Sequence, residues 1–131
     1  MASKFELIFG RLRVILQKHS GRLSVQEDSS KRYSLAGSPG PATLKAWGGK
    51  IRAPMLAVAW VQIGKGYVSY HLMGIDGNAK LLDEMSKELK ARMQGRSCFN
   101  FKAAEERLFA ELDDLTAQSI AGFRHAGFIV G

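Results

Sequence analysis

Cysteine, proline and paired metal-ligand spacings are scarce in this chain, and each shortage removes a class of function. A single cysteine, Cys98, stands among 131 residues, so no intramolecular disulfide can form. A reducing, cytoplasmic setting is the expectation, since disulfides accumulate in oxidising compartments. The three histidines, His19, His71 and His125, lie far apart, and no cysteine pair accompanies them. Without a paired spacing, neither a metal centre nor a cofactor is expected. Long apolar runs are missing as well. The N-terminal one is interrupted by Lys4, Glu6, Arg11 and Arg13. A leader needs an unbroken apolar stretch and a membrane span needs ~18 such residues, so no membrane is expected among the partners. Gly48-Gly49-Lys50 and Gly64-Lys65-Gly66 lack the spacing of a phosphate-binding loop and read as turns.

What is present is ordinary for a folded chain: 46% apolar and 24% charged residues over a length suited to one domain spanning 1–131. Acidic residues are outnumbered, twelve to nineteen Lys and Arg, for a net charge of +7. The excess is uneven. Residues 1–75 balance at +8, residues 76–101 at +1 and residues 102–131 at −2. A basic half followed by an acidic helix is compatible with an anionic partner, with self-association as a homodimer, or with a plain solvated surface on a monomer.

Apolar periodicity predicts a helix over residues 3–19, with Ser3 as N-cap and Phe5, Ile8, Phe9, Leu12, Ile15 and Leu16 on one side. Leu23–Gln26 and Arg32–Ala36 read as short strands around an Asp28-Ser29-Ser30 turn. Gly37-Ser38-Pro39-Gly40-Pro41 reads as a loop, and Thr43–Trp47 as a third strand. Met55–Ile63 and Tyr67–Met73 are rich in β-branched and aromatic residues and flank Gly64-Lys65-Gly66, which predicts a hairpin. A three-residue loop sets Trp60 opposite Tyr70 and Val58 opposite Leu72 on the bulky, core-facing side. Ala57, Ala59, Val61, Tyr67, Ser69, His71 and Met73 then share the open side. A two-residue loop pairs Val61 with Val68 instead. A helix near 78–94 capped by Asn78, a strand over Ser97–Lys102 with Phe99 and Phe101 inward, and an acidic helix over 103–126 complete the series. The fold class expected is α+β: an antiparallel sheet with the N-terminal and C-terminal helices on one face.

Two strings, Val61-Gln62-Ile63-Gly64-Lys65-Gly66-Tyr67-Val68-Ser69-Tyr70-His71-Leu72-Met73 and Ser97-Cys98-Phe99-Asn100-Phe101-Lys102, resemble the YdhG-like family of bacterial domains of unknown function. The first leads to Leu82 and a helix ending at Gly95, the second into an acidic helix, so the likeness covers roughly residues 50–126. It implies a compact α+β domain with an antiparallel sheet. It also carries an iron-chaperone label that some members bear through a frataxin-like fold. Frataxin-type iron binding wants a dense acidic ridge, and only Glu105/Glu106 and Asp113/Asp114 answer to that here.

Three sets of residues could carry function. Tyr67, Ser69 and His71 alternate onto the open side of the hairpin, where they would line a concavity floored by Ala57 and Ala59 and accept an unknown small molecule or protein. The plainer reading of His71 is a strand histidine whose ring nitrogens are simply hydrogen-bonded. Lys45, Trp47, Lys50 and Arg52 mix charge with an indole and suit a weak nucleic-acid or anionic-surface binder. A small enzyme could use His71, Tyr67 or Cys98, but no base stands at a fixed offset from Cys98, whose plainer reading is an inert, buried thiol. The expectation is a non-enzymatic binding or accessory domain working through the open sheet face.

Overall fold

The computed structural model describes residues 3–130. The single domain expected over 1–131 therefore includes Met1, Ala2 and Gly131, which lie outside the described residues. Helix α1, Lys4–Lys18, opens with the Glu6 amide donating to Ser3 Oγ at 3.1 Å, and it buries Ile8, Phe9, Leu12, Ile15 and Leu16 as its periodicity predicts. Strands β1 (Ser24–Asp28) and β2 (Arg32–Pro39) follow, then helix α2 (Pro41–Ala46), strands β3 (Leu56–Ile63) and β4 (Val68–Leu72), and a 3-10 turn at Met73–Ile75. Helices α3 (Ala79–Glu84) and α4 (Lys87–Lys90), strand β5 (Cys98–Phe101), helix α5 (Glu106–His125) and the short strand β6 (Ile129–Val130) complete the chain.

The sheet runs β1-β2-β3-β4-β5 with every neighbour antiparallel, and β6 adds to the far end of β2. The fold is thus α+β, with α1 and α5 covering one face. Tyr33, Leu35, Ala59, Val61, Val68, Tyr70, Leu72, Phe99 and Phe101 point into that covered face and form one buried cluster with the helices. Each fully buried Leu or Phe in such a cluster contributes about 1.5–3 kcal/mol. Two contacts tie α5 down. The Tyr70 hydroxyl meets Thr116 Oγ1 at 2.6 Å, and Phe109 meets the Phe101 ring edge-on at 5.0 Å between centroids.

The hairpin register differs from both expected pairings. Val61 pairs with Tyr70, Trp60 with His71, and Ile63 with Val68. The loop is therefore Gly64-Lys65-Gly66-Tyr67, closed by the Gly64 amide donating to the Tyr67 carbonyl at 2.8 Å. One residue of slip inverts a strand's faces. Val68, Tyr70 and Leu72 face the core as expected, but β3 is turned over, so Ala59 and Val61 are buried against the helices and Trp60 faces out. A bulge leaves Val58 unpaired between Ala57 and Ala59, opposite Leu35 and Ala36.

Other expectations give way to long-range contacts. Pro39 belongs to a strand because the distant β6 pairs with Ser38 and Pro39. Thr43–Trp47 is helical, with Pro41 preset for the first turn and Thr43 Oγ1 donating to the Phe128 carbonyl at 2.6 Å. The helix near 78–94 is two short ones. Met85 is extended, and Ser86 caps α4 while its amide and hydroxyl donate to Glu111 of α5. The chain beyond α4 adds to the β5 edge instead, the Asn100 amide donating to the Arg92 carbonyl and the Gln94 amide to the Cys98 carbonyl, both at 2.8 Å.

Gly74 sits where β4 hands over to the 3-10 turn, and a Cβ there would lie 2.4 Å from the Ser119 carbonyl oxygen of α5. Gly10, in the middle of α1, has open space around its missing Cβ. Chemical denaturation should show Gly74→Ala losing about 1–3 kcal/mol through overpacking. Gly10→Ala should gain about 0.5–1 kcal/mol from the lower backbone entropy of the unfolded chain. Equal effects from the two would mean that the β4–α5 approach is looser than described.

Candidate functional site

The outer face of the sheet, opposite α1 and α5, carries two cross-strand rows set by the register. One runs Glu27, Ser34, Trp60, His71 and Cys98 across β1 to β5, and the other runs Arg32, Gln62, Ser69 and Asn100 across β2 to β5. Paired side chains on one face of antiparallel strands come within contact distance of each other. The Trp60 and His71 rings are stacked, 4.4 Å between centroids and 12° between planes. The Arg32 guanidinium lies 5.9 Å from the Trp60 ring and bonds Glu27 at 3.0 Å. On the other side of the histidine, Nε2 stands 3.2 Å from Ser69 Oγ and 3.6 Å from Cys98 Sγ, and the thiol donates to Asn100 Oδ1 at 3.4 Å. A continuous chain of contacts therefore crosses all five strands.

The electrostatics of this chain favour neutral groups. Burial, and secondarily the positive charge of Arg32, lower the His71 ring to about 4. Burial also pushes the Cys98 thiol up. Near neutral pH the pair is imidazole beside thiol. Nucleophilic cysteine chemistry needs the reverse, a depressed thiol paired with imidazolium.

Of the residues singled out in the sequence, Ser69 and His71 do share the outer face. Tyr67 does not join them. It occupies the hairpin turn, 39% exposed, and lines a cleft of about 530 Å³ with Arg92, Lys102, Glu105 and Asn100, the last of which this cleft shares with the outer face. The floor expected from Ala57 and Ala59 is overturned, because Ala59 lies on the core side and Trp60 fills the space beside His71. Cys98, expected to be inert for want of a base, has His71 as its neighbour on the adjacent strand. No offset along the chain could reveal that, since it depends on β4 pairing with β5. Trp60, Arg32, Gln62 and Asn100 were missed. Only Asn100, alternating outward between Phe99 and Phe101, left a trace in the pattern.

Lys45, Trp47, Lys50 and Arg52 lie on α2 and the segment after it, the cations exposed and Trp47 half-buried, and the three cations make no ion pair among the described residues. Most of the acids at α5 are engaged internally, Asp114 being the exception among the described residues. Glu106 pairs with Arg11, Asp113 with Lys18 and His19, and Glu105 receives two hydrogen bonds from Arg92 at 2.6 and 2.8 Å. Burial works against the charge of Asp113, but the bonds from His19 and Lys18 prevail and hold its carboxyl below the usual range. No three His, Cys, Asp or Glu side chains converge among the described residues. No helix there is long and apolar enough to cross a membrane. Comparison of the chain with family models, curated proteins and solved structures yields no match.

The depressed histidine sets a pH dependence. In the unfolded chain His71 binds its proton near 6.5, but in the folded chain only near 4. Between these values the unfolded state holds more protons, so stability falls as pH drops from 6.5 to 4 and the contribution is flat above and below. Thermal melts across that window should slope less in His71→Gln than in the wild type. Parallel slopes, or an NMR titration of His71 near 6.5, would contradict the assigned burial.

Proposed function

We propose that the protein is a non-enzymatic binding domain that works through the outer face of its sheet. The observation that carries this reading is the Arg32–Trp60–His71–Cys98–Asn100 chain: polar and aromatic groups held half-exposed on a rigid sheet with no helix of α1 or α5 upon them. Sites on strands hold their side chains more firmly than sites on loops. The neutral imidazole and thiol argue for a ligand contact and against a small enzyme using His71, Cys98 or Tyr67. The likeness to YdhG-like bacterial domains supports the same reading, because its two strings fall on β3–β4 and β5, the strands that build this face. A cytoplasmic protein, where a half-exposed lone thiol stays reduced, agrees with it.

Native mass spectrometry of the full chain, incubated with the small-molecule fraction of a bacterial extract, tests the reading. The wild type should retain an adduct that Trp60→Ala loses and Lys50→Glu keeps. Equal retention by all three, or a Cys98-dependent conversion of an extract component, would refute it.

A second reading has its own observation, the three unpaired cations around Trp47. They support weak, sequence-independent contact with nucleic acid through charge and stacking. Fluorescence anisotropy with single-stranded DNA should show binding at low salt that fades by about 0.15 M and weakens in Lys45→Glu/Lys50→Glu. Tight binding that survives physiological salt and discriminates between sequences would place nucleic acid recognition ahead of the first reading.

A further inference from the structure

Three stretches of chain meet beside β5 and leave between them the cleft of about 530 Å³, a size typical of small-molecule sites. Tyr67 comes from the hairpin turn, Arg92 and Met93 from the segment after α4, and Asn100, Lys102 and Glu105 from β5 and the approach to α5. The Asn100 amide donates to the Arg92 carbonyl at 2.8 Å, so the Arg92 wall is pinned to the sheet. The Arg92 side chain is held as well. Its Nε and Nη2 donate to the two carboxylate oxygens of Glu105 at 2.6 and 2.8 Å. A guanidinium carries five N–H groups in a rigid fork, and this pair uses one edge of it. The Nη1 edge has no partner among the described residues. Lys102 is exposed and makes no ion pair among them. Asn100 accepts from the Cys98 thiol through Oδ1, which leaves its side-chain N–H groups to donate. Two cations, Arg92 and Lys102, stand against one carboxylate, Glu105, so the cleft is rich in donors and carries one net positive charge.

We propose that this cleft binds a small carboxylic acid with a flat apolar body, its carboxylate on the free edge of the Arg92 fork and beside Lys102. A planar carboxylate matches two N–H groups of a guanidinium edge, which a compact ammonium cannot offer. One net positive charge suits a monoanion, whereas a phosphate monoester brings close to two negative charges and leaves one unmatched. Glu105 opposes an incoming anion, but its charge is already met by Arg92. The same two bonds orient the fork before the ligand arrives, so less conformational freedom is lost on binding. The exposed Tyr67 ring and the Met93 thioether supply a flat, polarisable wall for the body of the acid. The cleft meets the outer face at Asn100 but draws nothing from the Trp60–His71 stack, so the proposal goes beyond the outer-face reading.

The test titrates isotope-labelled full chain with benzoate and follows it by NMR, with benzamide as the neutral isostere and inorganic phosphate as the rival oxyanion. The Arg92 Nε–H signal, the Asn100 side-chain amide and the Lys102 backbone amide should shift together along one saturating curve. Benzamide should bind at least about tenfold more weakly, the loss of a charge-assisted contact. Arg92→Lys keeps the charge without the fork and should also lose at least about tenfold. Lys102→Gln, at an exposed position, should lose about two- to fivefold. Trp60→Ala should stay within about twofold of the wild type. If Arg92→Lys folds poorly, the wild-type shifts and the ratio of benzoate to benzamide affinity decide the matter without it. No saturating shift at Arg92, benzamide within about twofold of benzoate, or phosphate bound more tightly than benzoate overturns the carboxylate site. A large loss in Trp60→Ala would put the probe on the stacked rings and overturn it too. The failures are distinct: adduct retention that depends on Trp60 with no benzoate shift at Arg92 removes the cleft and leaves the outer face, and the reverse result removes the outer face and leaves the cleft.

Discussion

The pairing of β3 with β4 is the constraint on which the rest of the structure depends. A four-residue turn closed from the Gly64 amide to the Tyr67 carbonyl fixes Ile63 against Val68, and every pair beyond it follows. Because side chains alternate with a period of two, that single choice decides which groups meet α1 and which meet solvent. It places Val61, Tyr70 and Phe99 in one inward row and Trp60, His71 and Cys98 in the adjacent outward row. One residue of slip would send Trp60 to the helices and expose Ala59 and Val61, which are buried completely. At roughly 25 cal/mol per Å² of apolar surface, exposing such a row costs several kcal/mol, on the order of the whole stability of a small domain.

The same register lets the two faces differ in kind. The inward face is closed by packing and by one buried polar contact, in which Thr116 Oγ1 meets the Tyr70 hydroxyl and donates to the Leu112 carbonyl at 2.7 Å. Burial raises the Tyr70 phenol well above its ordinary value, so it stays protonated and serves only as a hydrogen-bonding group. The outward face is held by stacking and by bonds between half-exposed groups, each of which contributes about a kilocalorie or less. Rigidity there comes from the strands beneath it.

How much of this was legible in the sequence varies with how local its cause is. Helix α1 was readable to within a residue because its cap and its apolar stripe are both local. The alternation of Val68, Tyr70 and Leu72 with Ser69 and His71 fixed the faces of β4. Strand β3 gave no such signal. It reads Leu-Ala-Val-Ala-Trp-Val-Gln-Ile, apolar on both sides, so the loop length had to carry the register, and a Gly-Lys-Gly centre fits several lengths. Ser86 was a readable cue for a break within 78–94, since serine favours caps over helix interiors. Its bond to Glu111, which stabilises that break, lies 25 residues away. Strand β2 runs on through Pro39 for a similar reason, its partner being the far end of the chain.

The uneven charge of the sequence resolves on the same principle. The acidic excess of residues 102–131 suggested an external cation or an opposing copy, yet Glu106 and Asp113 turn back onto the basic α1 and Glu105 onto Arg92. Exposed pairs of this kind add little stability, about 0–1 kcal/mol each. They do thin the acidic patch that weak cation binding would need, leaving Asp114 as its one carboxylate without a partner among the described residues. Among the cations that make no ion pair among the described residues are Lys45, Lys50 and Arg52 around Trp47. The two candidate surfaces therefore differ in physical character: one recruits by long-range charge that salt screens, the other by short-range contact with an oriented imidazole, thiol and indole. A half-buried imidazole and thiol that are both kept neutral gain nothing from distant charge. They suit a ligand recognised by direct contact with the stacked rings and the thiol.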